Sequence, residues 1–223
     1  NRFAQRSHVF DTSVVFLQGH DLMKGGVFMA LLWWVWFRKL KPGEADKREY
    51  LVSALLMGIV AVGVARGLAY VLPFRERPFT AAGFHFIEPF GTDNSQLDTW
   101  SSFPSDHAVL FFALATGIFF ASRPAGIFGF LYATFGICLP RLYLGIHWPT
   151  DIIAGTAIGV ALGWLGAREE VRRLISRPAL AWIDREPAWC YAGLFLLTYQ
   201  MATLFNDSRD AVHFVLHTLK SIL

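Results

Sequence analysis

Residues 50–74 contain a single charged residue, Arg66. A transmembrane helix needs about 20 consecutive, predominantly apolar residues, so this stretch predicts a helix that crosses a membrane. The composition agrees, because 54% of the chain is hydrophobic, whereas soluble proteins are about 45–50% apolar even when glycine is counted. An ordinary soluble domain is therefore not expected.

Comparable apolar segments follow one another along the chain. They predict an all-α, polytopic membrane bundle of about six transmembrane helices, which forms one domain over residues 1–223. The expected spans are 25–37, 50–74, 105–121, 125–139, 151–167 and 188–205.

The segments between and beside these spans differ in character. Residues 1–24 mix polar and apolar side chains, which favours a helix at the membrane interface. The charged stretch 38–50 is expected to be a solvated loop, and 168–187 is expected to be a basic loop. Residues 75–104 predict a long loop, and loops of this length are usually functional or disordered. The tail, 206–223, is amphipathic.

Ionisable and other polar side chains collect at the ends of the apolar segments. Placing such groups in hydrocarbon costs much free energy unless they are paired or hydrated. In membrane proteins they therefore usually mark a functional site. They are Arg75 and Arg77 after the second span, Ser105, Asp106 and His107 at the start of the third, and Arg141, His147 and Asp151 between the fourth and the fifth.

Alternate threading of the spans places all of these residues on one side of the membrane. The loops 38–50, 122–124 and 168–187 fall on the other side, and they carry 11 of the 20 lysines and arginines. Cytoplasmic loops are enriched in these cations. We therefore predict a multi-pass protein of the bacterial inner membrane whose site faces the periplasm.

The residue types at this site are suited to a phosphate. Arginine presents a planar fork of donors that matches phosphate or carboxylate oxygens. Ser105 can cap the third span, where free backbone N–H groups attract anions. Arg66 can add a further cation or instead pair with an acid or a carbonyl on another helix. Arg75 can bind phosphate or serve as a membrane anchor.

Two histidines beside a phosphate can divide the chemistry of phosphoryl transfer. One attacks phosphorus and the other protonates the leaving oxygen. Asp151, four residues beyond His147, could hold the second nitrogen of that imidazole. The sequence contains no acidic cluster typical of Mg²⁺ sites and no cysteine or histidine spacing typical of Zn²⁺ sites. We expect no metal and no cofactor.

The order and spacing of these residues resemble the motifs of the type 2 phosphatidic acid phosphatase superfamily, which also occur in vanadium-dependent haloperoxidases. The resemblance covers about residues 50–165. The third motif matches at Arg141, His147 and Asp151. The second matches at Pro104, Ser105 and His107, with Asp106 in place of the commoner glycine.

The first motif of that superfamily matches only in part. Arg77-Pro78 is present, but the lysine that usually precedes this arginine by seven positions is Tyr70 here. Arg66 lies about one helical turn earlier and is a plausible substitute.

The resemblance implies a membrane phosphatase with a haloperoxidase-like helical core. It implies that His147 is the nucleophile, that Asp151 orients it and that His107 is the general acid. The implied phosphate-binding group consists of Arg77, Ser105 and Arg141, with Arg66 assisting, and Asp106 is assigned to the same group.

The expected partners are a lipid phosphate and the bilayer, with no nucleic acid. Undecaprenyl diphosphate is favoured, because a small protein with an outward site suits recycling of a cell-wall carrier. Phosphatidylglycerophosphate and phosphatidic acid are alternatives. Transfer of the phosphoryl group to a second lipid or to a sugar needs the same residues and stays open. A non-enzymatic lipid carrier is a distant third, and the spans disfavour a haloperoxidase.

Overall fold

The computed structural model describes residues 3–39, 47–93, 100–206, 208 and 214, and these residues contain helices and no strand. This confirms the predicted all-α class. The helices of the described residues are α1 (His8–Gly19), α2 (Leu22–Phe37), α3 (Lys47–Val71), α4 (Asp106–Ala121), α5 (Arg123–Tyr143), α6 (Pro149–Ala167), α7 (Glu169–Arg185) and α8 (Pro187–Ala202). Two of them contain a π-helical turn, Leu22–Gly26 in α2 and Ala133–Cys138 in α5.

Helices occupy the positions of all the predicted spans. Of these, α3, α5 and α6 are long and apolar enough to cross a membrane, and α2 and α4 are apolar but shorter. The helix α8 lies at the position of the sixth span. The number of spans and the single domain stay predictions. The predicted amphipathic tail lies outside the described residues, apart from 206, 208 and 214.

The helix α4 lies at the centre, largely buried between α3, α5 and α6. It meets α6 through glycines four residues apart. A β-carbon at Gly159 would lie 2.4 Å from the Val109 carbonyl oxygen, and one at Gly155 would lie 2.7 Å from that of Ser105. Small residues at this spacing let two helix backbones approach closely. The contact holds the N-terminal ends of α4 and α6 side by side.

The prediction of a basic loop at 168–187 is wrong, because most of this segment forms α7. Ser176, Leu180 and Ile183 recur at helical spacing and are buried, whereas the charged side chains of Asp184 and Arg185 are exposed. A helix with one apolar face and many charges on the other is expected to pack on a protein surface. The density of charges in the sequence conceals that apolar face.

The helix expected near the N-terminus is present as α1. Its apolar side chains Phe10 and Phe16 are exposed, while Asp11 is completely buried. Asp11 accepts hydrogen bonds from the Tyr143 hydroxyl at 2.5 Å and from the Phe90 backbone N–H at 3.0 Å. These bonds attach α1 to the end of α5 and to the loop that follows α3. The interfacial position of α1 stays a prediction.

Candidate active site

The structure brings the sequence-predicted site residues to one end of the bundle. Helix α3 and the extended segment after it supply the arginines of the first group, and the start of α4 supplies the second group. The end of α5, the turn 144–148 and the start of α6 supply the third. The residues concerned are Arg66 and Arg77, then Ser105, Asp106 and His107, then Arg141, His147 and Asp151.

His147 lies in the turn between α5 and α6 and is buried. Its Nδ1 lies 2.8 Å from the Ser102 carbonyl oxygen. A carbonyl can only accept, so Nδ1 carries the proton and the lone pair of the neutral ring is on Nε2. Burial lowers the pKa of His147, and the positive charges of Arg141 and Arg77 act in the same direction, against the raising influence of Asp151. The neutral, nucleophilic form is therefore favoured.

Asp151 is completely buried beside this histidine but is not its closest partner. Its Oδ2 lies 3.7 Å from His147 Nδ1, which is too long for a hydrogen bond. The same oxygen accepts the Trp148 backbone N–H at 2.8 Å. Its Oδ1 binds Arg75 Nη1 at 2.6 Å. Asp151 thus stabilises the turn around His147, while the Ser102 carbonyl sets the tautomer.

Ser102 is a part of the site that sequence reasoning did not identify, and Arg75 is a part whose partner it did not identify. The sequence left Arg75 open between an anchor and a phosphate ligand, and the structure pairs it with Asp151. Ser102 contributes only its carbonyl oxygen. A backbone atom leaves no residue-type signal, and nothing in the sequence links position 75 to position 151.

Asp106 joins two other site residues. Its Oδ2 binds Arg66 Nη2 at 2.7 Å, and its Oδ1 lies 2.9 Å from His107 Nδ1 and 2.8 Å from the His107 backbone nitrogen. A carboxylate has only acceptors and repels phosphate. This geometry suits Asp106 to holding Arg66 and His107 rather than to contact with a phosphate, which differs from the assignment made from the sequence.

Two guanidinium groups lie deeper in the site. Arg141 and Arg77 are 6% and 7% exposed. Arg141 Nη2 lies 2.5 Å from His107 Nε2, and Arg141 Nε has no hydrogen-bond partner among the described residues. Arg77 Nη1 donates to the Ile146 carbonyl oxygen at 2.7 Å. A buried donor without a partner is costly, and an anion bound here would satisfy it.

The predicted helix cap at Ser105 is confirmed. Its Oγ accepts the Ala108 backbone N–H at 3.4 Å, and its own N–H donates to the Asp151 carbonyl oxygen at 3.3 Å. The Asp106 side chain already takes the His107 N–H. The start of α4 therefore offers an anion fewer free N–H groups than the sequence suggests.

Comparison with known proteins identifies the family. The model of the PAP2 superfamily matches residues 50–173, which is more than half of the chain and contains every predicted site residue. The chain belongs to the PAP2 superfamily. The resemblance noted from the motifs is confirmed, and so is a phosphatase of the PAP2 type that acts on lipid phosphates.

Several relatives are named for lipid phosphates. YbjG of Escherichia coli (strain K12), provisionally named as an undecaprenyl-diphosphatase, is 26% identical over 66% of this chain and 67% of its own length. An undecaprenyl-diphosphatase of Sulfolobus acidocaldarius is 27% identical over 55% of this chain and 56% of its own. A lipid A 4'-phosphatase of Bacteroides thetaiotaomicron is 46% identical over 28% of each.

These alignments leave a third or more of each relative's length unmatched, so the names do not decide the substrate. No solved structure matches the chain. Among the described residues, no group of three histidine, cysteine, aspartate or glutamate side chains could hold a metal ion, and metal-free chemistry stays a prediction.

Proposed function

We propose that this PAP2 protein hydrolyses undecaprenyl diphosphate through a phosphohistidine on His147. The observation that carries the proposal is the hydrogen bond from His147 Nδ1 to the Ser102 carbonyl. This bond leaves Nε2 unprotonated on a neutral imidazole. The positive charges of Arg141 and Arg77 act on the same imidazole. A phosphate bound by these two guanidinium groups would therefore lie close to the nucleophilic Nε2.

The proposed reaction has two steps. Nε2 of His147 attacks the terminal phosphorus while the bond to the bridging oxygen breaks, and His107 gives its proton to that oxygen. Lipid monophosphate leaves. Water then attacks the phosphohistidine, its proton returns to His107, and inorganic phosphate is released. Each step uses a positioned acid or base, as in other covalent enzymes.

The surrounding contacts support proposed roles for the other site residues. Arg77 and Arg141 bind the transferred phosphoryl oxygens, and their charge stabilises the transition state. A phosphoryl group bound to Arg141 Nη2 would free His107 Nε2 for its role as the acid. Ser105 keeps the start of α4 in place. Asp106 holds Arg66 and His107, and Asp151 supports the His147 turn.

The proposed substrate is supported by the names of relatives, and the proposed location is supported by the charges of the loops. Two relatives are named as undecaprenyl-diphosphatases, which favours an isoprenoid diphosphate over phosphatidylglycerophosphate or phosphatidic acid. The excess of lysine and arginine in the loops away from the site favours the inner membrane with an outward site.

Phosphoryl transfer to a lipid acceptor is the second candidate. A relative in Escherichia coli (strain K12) is named lipid A 1-diphosphate synthase, and it is 26% identical over 66% of this chain and 61% of its own length. The same phosphohistidine would then pass its phosphoryl group to an alcohol or phosphate oxygen instead of water.

The test is phosphate release by the purified protein in detergent with EDTA present. The substrates are undecaprenyl diphosphate, phosphatidylglycerophosphate and phosphatidic acid. We expect release from the diphosphate and none from His147→Ala. The matched control is His85→Ala, because His85 is exposed and lies outside the contacts described above. Release from no substrate by a folded protein would contradict hydrolysis and favour transfer.

A further inference from the structure

Arg75 contacts two residues that follow His147 in the chain. Its Nη1 binds Asp151 Oδ1 at 2.6 Å, and its guanidinium carbon lies 5.8 Å from the centre of the Trp148 ring. Asp151 is completely buried, whereas the Arg75 side chain is 38% exposed. A buried carboxylate is costly unless it is paired and hydrogen-bonded. The guanidinium supplies the positive charge that a carboxylate at this position requires.

The backbone of Arg75 is attached to the segment that binds His147 from the other side. Its carbonyl oxygen accepts the Ser102 N–H at 2.9 Å, and its N–H donates to Ser101 Oγ at 3.3 Å. The carbonyl oxygen of Ser102 in turn lies 2.8 Å from His147 Nδ1. Arg75 thus contacts Ser102 through its backbone and Asp151 through its side chain. A substitution at position 75 keeps the backbone contacts and tests the guanidinium.

The Ser102 carbonyl and Asp151 lie beside the same nitrogen of His147. Nδ1 is 2.8 Å from the carbonyl oxygen and 3.7 Å from Asp151 Oδ2. A carboxylate at that distance favours the positively charged imidazolium, unless another cation balances its charge. The nucleophile of the proposed reaction must be the neutral imidazole. The guanidinium of Arg75 provides the balancing charge.

Charged side chains act on the His147 imidazole from each of the elements around it. They are Arg141 of α5, Arg77 of the segment after α3, Asp106 of α4 and Asp151 of α6. The two arginines lower the pKa of His147, and the two aspartates raise it. Asp106 has its own cation, Arg66 of α3. Loss of Arg75 would therefore change the pairing of Asp151.

We propose that Arg75 is a positioning residue for the nucleophile: by neutralising Asp151 it keeps His147 a neutral imidazole. The ring then stays bound to the Ser102 carbonyl, with its lone pair on Nε2. This inference goes beyond the proposed function but rests on it, because it takes His147 as the nucleophile. Arg75 acts through Asp151 and does not touch the substrate.

The contacts of Arg75 favour this role over the two that the sequence left open. A phosphate ligand would direct its donors at the anion, and a membrane anchor would direct them at lipid headgroups. Arg75 directs Nη1 at a buried carboxylate and lies over the Trp148 ring. That ring is itself held in place, because its Nε1 donates to the Glu76 carbonyl oxygen at 2.9 Å and the Phe84 ring lies 5.2 Å away.

The test compares Arg75→Gln and Arg75→Lys by phosphate release from undecaprenyl diphosphate in detergent over a range of pH. For Arg75→Gln we expect kcat to fall about tenfold or more, because the imidazole loses its position. The acid limb of the pH–rate profile should move upward by about one pH unit, because the unbalanced carboxylate favours the imidazolium. Arg75→Lys should stay within about threefold of the wild type, since a lysine can replace the bond that Nη1 makes.

The matched control is Arg48→Gln. The Arg48 side chain has a similar exposure, 33%, and binds the Asp184 carboxylate at 3.2 Å, away from the site. We expect its kcat and its acid limb to match those of the wild type. Comparable effects in Arg48→Gln, or equal losses in Arg75→Gln and Arg75→Lys, would overturn the proposal, because the charge beside Asp151 would then not be the cause.

A double-mutant cycle shows whether Arg75 acts through Asp151. Asp151→Asn removes the charge that Arg75 balances. In that background Arg75→Gln should lower kcat by less than a further threefold and leave the acid limb in place. Losses that multiply would show that Arg75 contributes by another route, such as direct binding of phosphate, and would overturn the proposal.

A measurement without turnover separates failure of this proposal from failure of the proposed function. Nitrogen-15 NMR of histidine-labelled protein reports the protonation of His147, whose signals are those missing from His147→Ala. In Arg75→Gln these signals should titrate at higher pH than in the wild type, and addition of Asp151→Asn should abolish the difference. An unchanged titration would overturn the proposal. Continued phosphate release by His147→Ala would instead contradict the proposed function.

Discussion

The two ends of the helical bundle differ in what their most deeply buried arginines contact. At the end formed by α7 and the start of α3, which we call the distal end, arginines bind carboxylates directly. The distances are 3.0 Å for Arg172–Glu49, 3.2 Å for Arg48–Asp184 and 2.5 Å for Arg173–Glu169. At the site end, Arg66 and Arg75 also bind carboxylates. Arg77 and Arg141, which are buried more deeply, instead contact a carbonyl oxygen and an imidazole.

Two of the distal acids also differ from Asp151 in burial. The distal acids Asp184 and Glu169 are 60% and 57% exposed, whereas Asp151 at the site end is completely buried. Exposed ion pairs contribute about 0–1 kcal/mol, while a buried charge without a full set of partners is costly. The distal end thus uses its arginines for modest stability, whereas at the site end Arg141 Nε is left without a partner among the described residues and is available to an anion.

The largest expected effect is the loss of phosphate release when an arginine at the site end is changed. Arg141→Lys keeps the charge but removes the planar fork, which includes the unpartnered Nε. A point charge cannot replace two forked donors on phosphoryl oxygens, so we expect kcat to fall about 10²–10³-fold, as for loss of one transition-state donor. Steady-state rates of phosphate release measure it.

The control for this variant is Arg172→Lys at the distal end, which changes the same residue type at a site of similar burial. We expect less than a twofold change in its rate. Comparable losses in both variants would mean that the two ends do not differ in function, and the comparison would fail.

A smaller effect concerns the pH dependence of the site end. Burial lowers the pKa of His147, so His147 stays neutral and nucleophilic at pH values where an exposed histidine, with a pKa of about 6.5, is protonated. We expect kcat/KM to fall on the acid side only below about pH 6.5. The pH–rate profile measures it, with His85→Ala as the control that should not shift.

The same pKa shift makes a prediction for stability. The unfolded chain binds a proton at residue 147 near pH 6.5, whereas the folded protein does so only at lower pH. Protonation therefore favours the unfolded state as the pH falls below about 6.5. Thermal melts in detergent should show a lower Tm below about pH 6.5. If activity already falls on the acid side at or above pH 6.5, the lowered pKa of His147 would be contradicted.

The smallest expected effect belongs to the distal end. Arg172→Gln removes the ion pair with Glu49 and the stacking of the guanidinium over the Tyr50 ring at 4.2 Å. Together these contribute about 1 kcal/mol, which corresponds to a decrease in Tm of about 2–4 °C for a chain of this size. Phosphate release should be unchanged. A large loss of activity with no change in Tm would show that the distal end influences the site.

Much of the site could be placed from the sequence. Apolar runs locate the helices, and polar residues at their ends identify the surface where His107, Arg141 and His147 meet. The sequence misassigned α7, because its charges obscure three buried positions. It also did not show the partners of Asp106, since residue type alone does not say whether a carboxylate faces a phosphate or an arginine.

Residue order and spacing by themselves determined the all-α class, the PAP2 motifs and the end of the bundle at which the site lies, because hydrophobic runs and motif distances are properties of the chain. The tertiary structure alone decided the partners. Arg75 with Asp151, the Ser102 carbonyl with His147, and Arg66 with Asp106 join positions that are distant in the chain. Hydrogen bonds and charges act over a few ångströms in space, so only the packing of the helices and of the segment after α3 brings these groups together.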